Sequence, residues 1–122
     1  MRITRQIIVF DAPDLAAEST FWAELLEGTA ELDADGTWAT VFADAKPYLG
    51  FQLATNYVAP QWPDGPQQQQ IHLDLYVDDV PAAHDRVINL GARLLQAADV
   101  SAAAGFQVYA DPAGHPFCLC WG

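Results

Sequence analysis

The chain has 122 residues, 52% apolar and 11% aromatic, which is the size and composition of one globular domain and excludes a disordered polypeptide. Sixteen acidic residues against five basic ones give a formal charge of −11, which argues against nucleic acid and anionic membrane surfaces as partners and favours a neutral or cationic small ligand. No apolar run approaches membrane-spanning length and no leader is read in residues 1–5, so the expected location is the cytoplasm.

Residues 3–10 are mostly β-branched and predict a first strand, which Asp11-Ala12-Pro13-Asp14 turns. Asp14 is a suitable N-cap for a helix over 15–26, with Leu15, Trp22, Leu25 and Leu26 on the apolar stripe and Glu18, Glu24 and Glu27 facing away. Gly28 is the expected stop. Strands follow over 38–43 and 48–54, separated by turns at Asp33-Ala34-Asp35-Gly36 and Asp44-Ala45-Lys46-Pro47. Residues 55–70, with Pro60, Pro63, Pro66 and the run Gln67 to Gln70, lose all periodicity and read as a connection between two halves.

The second half opens on the most informative stretch of the chain, residues 71–79. Ile71, Leu73, Leu75 and Val77 fall on one face of a strand, and His72, Asp74 and Tyr76 on the other. An imidazole, a carboxylate and a phenol in a row mark either a strand lining a polar cavity or an ordinary solvated face. Asp79 then caps a helix with Pro81 in its first turn and Gly91 at its end; His84 and Asp85 on it read as surface. Strands over 92–96, 106–110 and 116–121 close the chain, with Asp111-Pro112-Ala113-Gly114 as the last turn. Strand, helix, then strands, twice in similar order, predict two βαβββ modules in a single α+β domain: module 1 over about 1–55, a connection over about 56–69, and module 2 over about 70–122.

With that repeat in view, the chain resembles the vicinal oxygen chelate superfamily, the glyoxalase, bleomycin-resistance and extradiol-dioxygenase group. The residues that carry the resemblance are Phe21-Trp22-Ala23-Glu24-Leu25-Leu26-Glu27-Gly28, His72-Leu73-Asp74-Leu75-Tyr76-Val77-Asp78-Asp79, Leu90-Gly91-Ala92 and Asp111-Pro112-Ala113-Gly114-His115-Pro116-Phe117. Trp62-Pro63-Asp64 and Gly114-His115-Pro116-Phe117-Cys118 look more like the small glyoxalase-like subgroup than like glyoxalase I itself. The resemblance implies a curved mixed sheet forming a cup, and a homodimer.

Metal-dependent members hold a divalent ion with four inward side chains, typically His, Glu, His and Glu. Carried over, only His72 matches. The counterpart of His72 in the first module is Ile7, Gln52 stands near the place of one Glu, and Cys118 takes the place of the other. The expectation is therefore no metal, with His72 a ligand only if Zn, Fe, Mn or Ni is bound.

Three readings of His72 stand open: a hydrogen-bonded pocket residue, an acid/base catalyst oriented by Asp74, or part of a thiolate–imidazole metal site with Cys118 and Cys120. Gln52, Tyr76, Trp38, His115 and Cys118 are the candidate ligand-binding residues, with Tyr48, Trp62 and Tyr109 as further aromatic wall. Cys118 and Cys120 are expected as free thiols and Cys118 as a small core residue, since no cation is in view to lower its pKa. The first functional expectation is a metal-free small-molecule-binding protein. The rivals are a divalent-metal lyase, isomerase or dioxygenase with an atypical ligand set, and an accessory domain whose cup is filled by side chains.

Overall fold

The computed structural model describes residues 1–68 and 71–122; Gln69 and Gln70, part of the predicted connection, lie outside the described residues. The chain divides into two compact units, Met1–Tyr57 and Val58–Gly122.

In the first unit, β1 (Ile8–Ala12) leads to α1 (Leu15–Leu25), followed by β2 (Thr29–Leu32), β3 (Trp38–Ala43) and β4 (Lys46–Leu53). The sheet order is β1-β4-β3-β2, with β1 parallel to β4 and the other pairs antiparallel. A parallel pair needs a crossover, and α1 is part of it, packing on β2, β3 and β4. The core is Ala39, Val41, Leu49 and Phe51 on the sheet against Leu15, Phe21 and Trp22 on the helix, with Phe10 edge-on to both Trp22 and Phe51.

Three expectations change here. The first strand starts at Ile8, so residues 3–7 are exposed or half-buried chain before it. Glu18 does not face away: it is 1% exposed, and its carboxylate accepts the Trp22 Nε1–H at 3.3 Å, one helical turn on. The helix is not stopped by a left-handed Gly28. Glu27 takes the positive φ of 54°, and Gly28 is needed instead for close approach, because a Cβ there would lie 2.0 Å from the Phe42 carbonyl oxygen.

The second unit repeats the plan. β5 (Leu73–Tyr76) leads to α2 (Val80–Leu90), then β6 (Arg93–Gln96), β7 (Gly105–Ala110) and β8 (Pro116–Trp121), in sheet order β5-β8-β7-β6. The Asp79 carboxylate accepts from the Ala82 amide at 3.0 Å, Pro81 sits in the first turn, and Gly91 ends α2 at φ 110°. The architecture is thus the predicted α+β pair of βαβββ modules. Among the described residues no helix is long and apolar enough to cross a membrane.

Candidate functional site

The second sheet sorts its side chains by parity. Gln107, Tyr109, Phe117 and Leu119 lie on one face, and Phe106, Val108, Cys118 and Cys120 on the other, with Trp62 and Leu95 packed against Val108, Cys118 and Cys120. The register places Asp74 opposite Cys118 and Tyr76 opposite Cys120 on the parallel pair β5/β8. His72 precedes the strand by one residue and shares the face of Asp74.

These side chains converge on one cavity of about 450 Å³, lined by His72, Asp74, Tyr76, Cys118 and Cys120, by Trp62, Phe106 and Trp121, and by Ala104 and Gly105. His72 Nε2 lies 3.3 Å from Asp74 Oδ1, and the Trp62 indole stacks on the imidazole with centroids 5.0 Å apart and planes 27° off parallel. The carboxylate orients the ring from one edge while the indole fixes its plane. Trp121 is held in turn, its Nε1–H donating to the Ala102 carbonyl at 3.0 Å, with its ring over Gly105, where a Cβ would lie 2.6 Å from it. No Lys or Arg lines this cavity among the described residues.

Both cysteines are free and buried. Burial first, then the Asp74 carboxylate, push the Cys118 thiol up to about 12; Cys120 is raised by the same two causes. A thiol so held is neutral near pH 7, so Cys118 is a packing and hydrogen-bonding group here and not a nucleophile. The cavity can stack a flat group on indole, bond it to His72 and Asp74, and move a proton at the His72 imidazole.

The other sequence candidates lie elsewhere. Gln52 and Trp38 are register partners in the first unit, on the sheet face opposite Phe51, with the Trp38 Nε1–H bonded to Thr40 Oγ1 at 2.9 Å. Tyr48 is 50% exposed, at the register shift of the β3/β4 pair. His115 is not among the residues lining the cavity; its main-chain N–H donates to Asp111 Oδ1 at 2.8 Å, which holds the last turn. Two readings are corrected. Tyr109 is no cavity wall, because its parity sends it to the opposite face, where it is fully buried. His84 is not a free surface residue: its Nδ1 lies 2.9 Å from the Tyr109 hydroxyl. Phe106 and Trp121 were not singled out by the sequence. Phe106 had a signal, since it pairs with Cys120 and shares its face; Trp121 had none, as it is its packing over Gly105 that brings it to the cavity.

The four-residue metal set that the resemblance implies is not met by the residues present. Counting from the helix caps Asp14 and Asp79, the β1/β4 pair Val9 and Gly50 matches the β5/β8 pair Asp74 and Cys118. The first unit's counterpart of Cys118 is therefore Gly50, two residues before Gln52, and a Cβ there would meet the Trp38 ring at 2.5 Å. That position offers neither a donor nor room for one, and Ile7 offers none. What the second unit holds is a mixed cluster, His72, Asp74 and Cys118, whose donor atoms lie within 4.8 Å of one another. It sets one sulfur beside one imidazole and one carboxylate, which differs from the carboxylate–imidazole set in both number and softness.

Comparison with known proteins agrees with this architecture. Solved structures similar to the chain include a hypothetical protein from S. aureus, 13% identical, covering 100% of this chain and 96% of that one with a TM-score of 0.70. The fosfomycin resistance protein FosX from Listeria monocytogenes is 13% identical over 100% of this chain and 95% of that one, with a TM-score of 0.69. An integron cassette protein of V. cholerae is 16% identical over 99% and 97%, with a TM-score of 0.57. At such identities the likeness is one of fold. No curated protein matches the chain in sequence. The family model of the glyoxalase-like domain matches residues 7–120, so the repeat, the paired caps and the closing Asp-Pro-Ala-Gly turn all fall within it: the chain belongs to the glyoxalase-like domain family.

Proposed function

We propose that the protein binds a small neutral or cationic organic molecule in the second-unit cavity, without the family's four-residue metal centre. The observation that carries this is the His72–Asp74 pair at 3.3 Å beneath the stacked Trp62 indole, in a cavity of about 450 Å³ with aromatic walls and no Lys or Arg among the described residues that line it. A flat ligand stacks on Trp62 or Trp121, bonds to His72 and, if cationic, is held by Asp74 and the faces of Tyr76, Phe106 and the indoles. The protein would act by sequestration or sensing, as a homodimer in the cytoplasm, with no nucleic-acid or membrane partner.

The test is a thermal-shift and tryptophan-fluorescence screen of neutral and cationic aromatic compounds against the wild type and His72→Ala. A hit whose affinity falls about tenfold in His72→Ala supports the site, as loss of one hydrogen bond and a stacking face requires. A hit unaffected by that change places the ligand elsewhere.

A second reading is a metal-dependent lyase, isomerase or dioxygenase, and the His72, Asp74 and Cys118 cluster favours it. The E126Q mutant of FosX from Listeria monocytogenes has been solved with Mn(II) and 1S,2S-dihydroxypropylphosphonic acid, so a fold of this kind holds a divalent metal in that protein. Elemental analysis of tag-free protein purified without chelator separates the two: about one equivalent of transition metal, lost in His72→Ala, overturns the metal-free reading.

A further inference from the structure

The segment that precedes β1 is left unpaired by its own sheet. Continuing the parallel β1/β4 register back from Ile8 and Leu49 would set Ile7 opposite Tyr48, Gln6 opposite Pro47 and Arg5 opposite Lys46. Tyr48 is passed over where the β3/β4 register shifts, Pro47 has no N–H to donate, and Arg5 would face a like charge. Pairing therefore ends at Ile8, and residues 1–6 are exposed, Ile3 at 70%. Among the described residues they enter no strand ladder. Ile3, Thr4 and Ile7 nonetheless give the segment strand composition, and its N–H and C=O groups are open to a strand edge.

The first sheet offers such an edge at β2, last in the order β1-β4-β3-β2, with Thr29, Glu31 and Leu32 exposed on it. Leu32 pairs with the buried Ala39, on the core side of the sheet, yet is 50% exposed, so that side is not fully covered there. The charges are complementary. Arg2 and Arg5 are two of the chain's five basic residues and no acidic residue precedes Asp11, whereas residues 27–35 hold Glu27, Glu31, Asp33 and Asp35 and no base. Reach decides whose edge is used. A chain's own β2 lies three strand spacings from its β1, about 14 Å across the sheet, and seven extended residues span about 23 Å. The crossing would leave only about three residues to lie along the edge, while the β2 of a second copy is reached without it.

We propose that residues 1–7 add as a strand to the exposed β2 edge of a second copy, each copy giving its arm to the other in a two-fold dimer. Main-chain hydrogen bonds hold the arm, Ile3 and Ile7, which share a strand face, cover Leu32, and Arg2 and Arg5 meet the acidic segment 27–35. This arrangement rests on the homodimer proposed above and is independent of the His72 cavity.

The experiment is sedimentation velocity of the tag-free full chain from about 1 to about 100 μM, where a dimer of micromolar affinity dissociates on dilution. Thr4→Pro, at an exposed residue outside the paired strands, removes one arm N–H and should raise the dissociation constant about tenfold or more, with the circular dichroism of the fold unchanged. Arg2→Glu with Arg5→Glu in one variant, and Glu31→Lys in another, should each weaken the dimer. An equimolar mixture of the two should regain it, because each arm then finds an edge of opposite charge. A wild-type monomer at the highest concentration overturns both this arrangement and the homodimer. A dimer indifferent to Thr4→Pro, or charge variants that fail to pair on mixing, overturns the arrangement alone. The ligand screen with His72→Ala is unaffected by either result.

Discussion

Raising the pH from 8 to 10 should destabilise the protein through Cys118. The folded thiol keeps its proton up to about 12, because burial and the Asp74 carboxylate both oppose the thiolate, whereas the thiol of the unfolded chain titrates near 9.0. Between those values the unfolded state binds fewer protons than the folded one, so the stabilising contribution is complete below about pH 8 and is lost as pH rises toward 12. At pH 10 the unfolded thiol is about ten-elevenths ionised and the folded one about one-hundredth, which costs about 1.4 kcal/mol relative to pH 8. For a domain of this size that lowers the urea midpoint by about 1 M. Cys120 and Tyr109 are raised as well and act in the same direction, so the comparison is between wild type and Cys118→Ala, each measured at both pH values. The variant starts less stable but should lose about 1.4 kcal/mol less over the interval. Asp74→Asn removes the second cause and should recover part of the loss. Identical losses in wild type and Cys118→Ala, or alkylation of Cys118 with an apparent pKa near 9, would refute the reasoning.

Gly105→Ala should cost about 1–3 kcal/mol, because the new Cβ lies 2.6 Å from the Trp121 ring and the indole must leave both the strand and the Ala102 carbonyl; urea midpoints and near-ultraviolet circular dichroism read the two effects. Asp111→Ala, at a 2% exposed carboxylate that accepts from the Ala113 and His115 amides, should lose about 2–3 kcal/mol by urea denaturation without removing a cavity side chain.

The elements legible in the sequence are those fixed by local chemistry. Asp14 and Asp79 each hold the amide three residues on, and the alternation of residues 71–77 separated the His72, Asp74 and Tyr76 face before any pairing was known. Strand ends were less legible, since Ile3 to Ile7 have strand composition but no partner strand in the first sheet. The site was half legible. Parity grouped His72 with Asp74, and Cys118 with Cys120, but only the parallel register sets Asp74 opposite Cys118. Trp62 lies in a stretch without periodicity, so its stacking on His72 had no pattern to announce it. Glu18 and His84 were misread for one reason: each polar group finds a specific partner, Trp22 or Tyr109, and composition carries no record of pairing.

The glycine beneath an indole occurs once in each unit, with the donor strands exchanged. In the first unit β3 supplies Trp38 and β4 supplies Gly50; in the second β8 supplies Trp121 and β7 supplies Gly105. If the halves descend from one duplicated ancestor, this exchange marks where they parted. In one copy the ring came to rest on the spot that answers to Cys118 and closed it, while in the other it settled at the end of the strand and left that spot open. The two copies thereby stopped being interchangeable. Ligand contacts therefore rest on the open copy, while the closed one answers to the packing of Trp38 over Gly50.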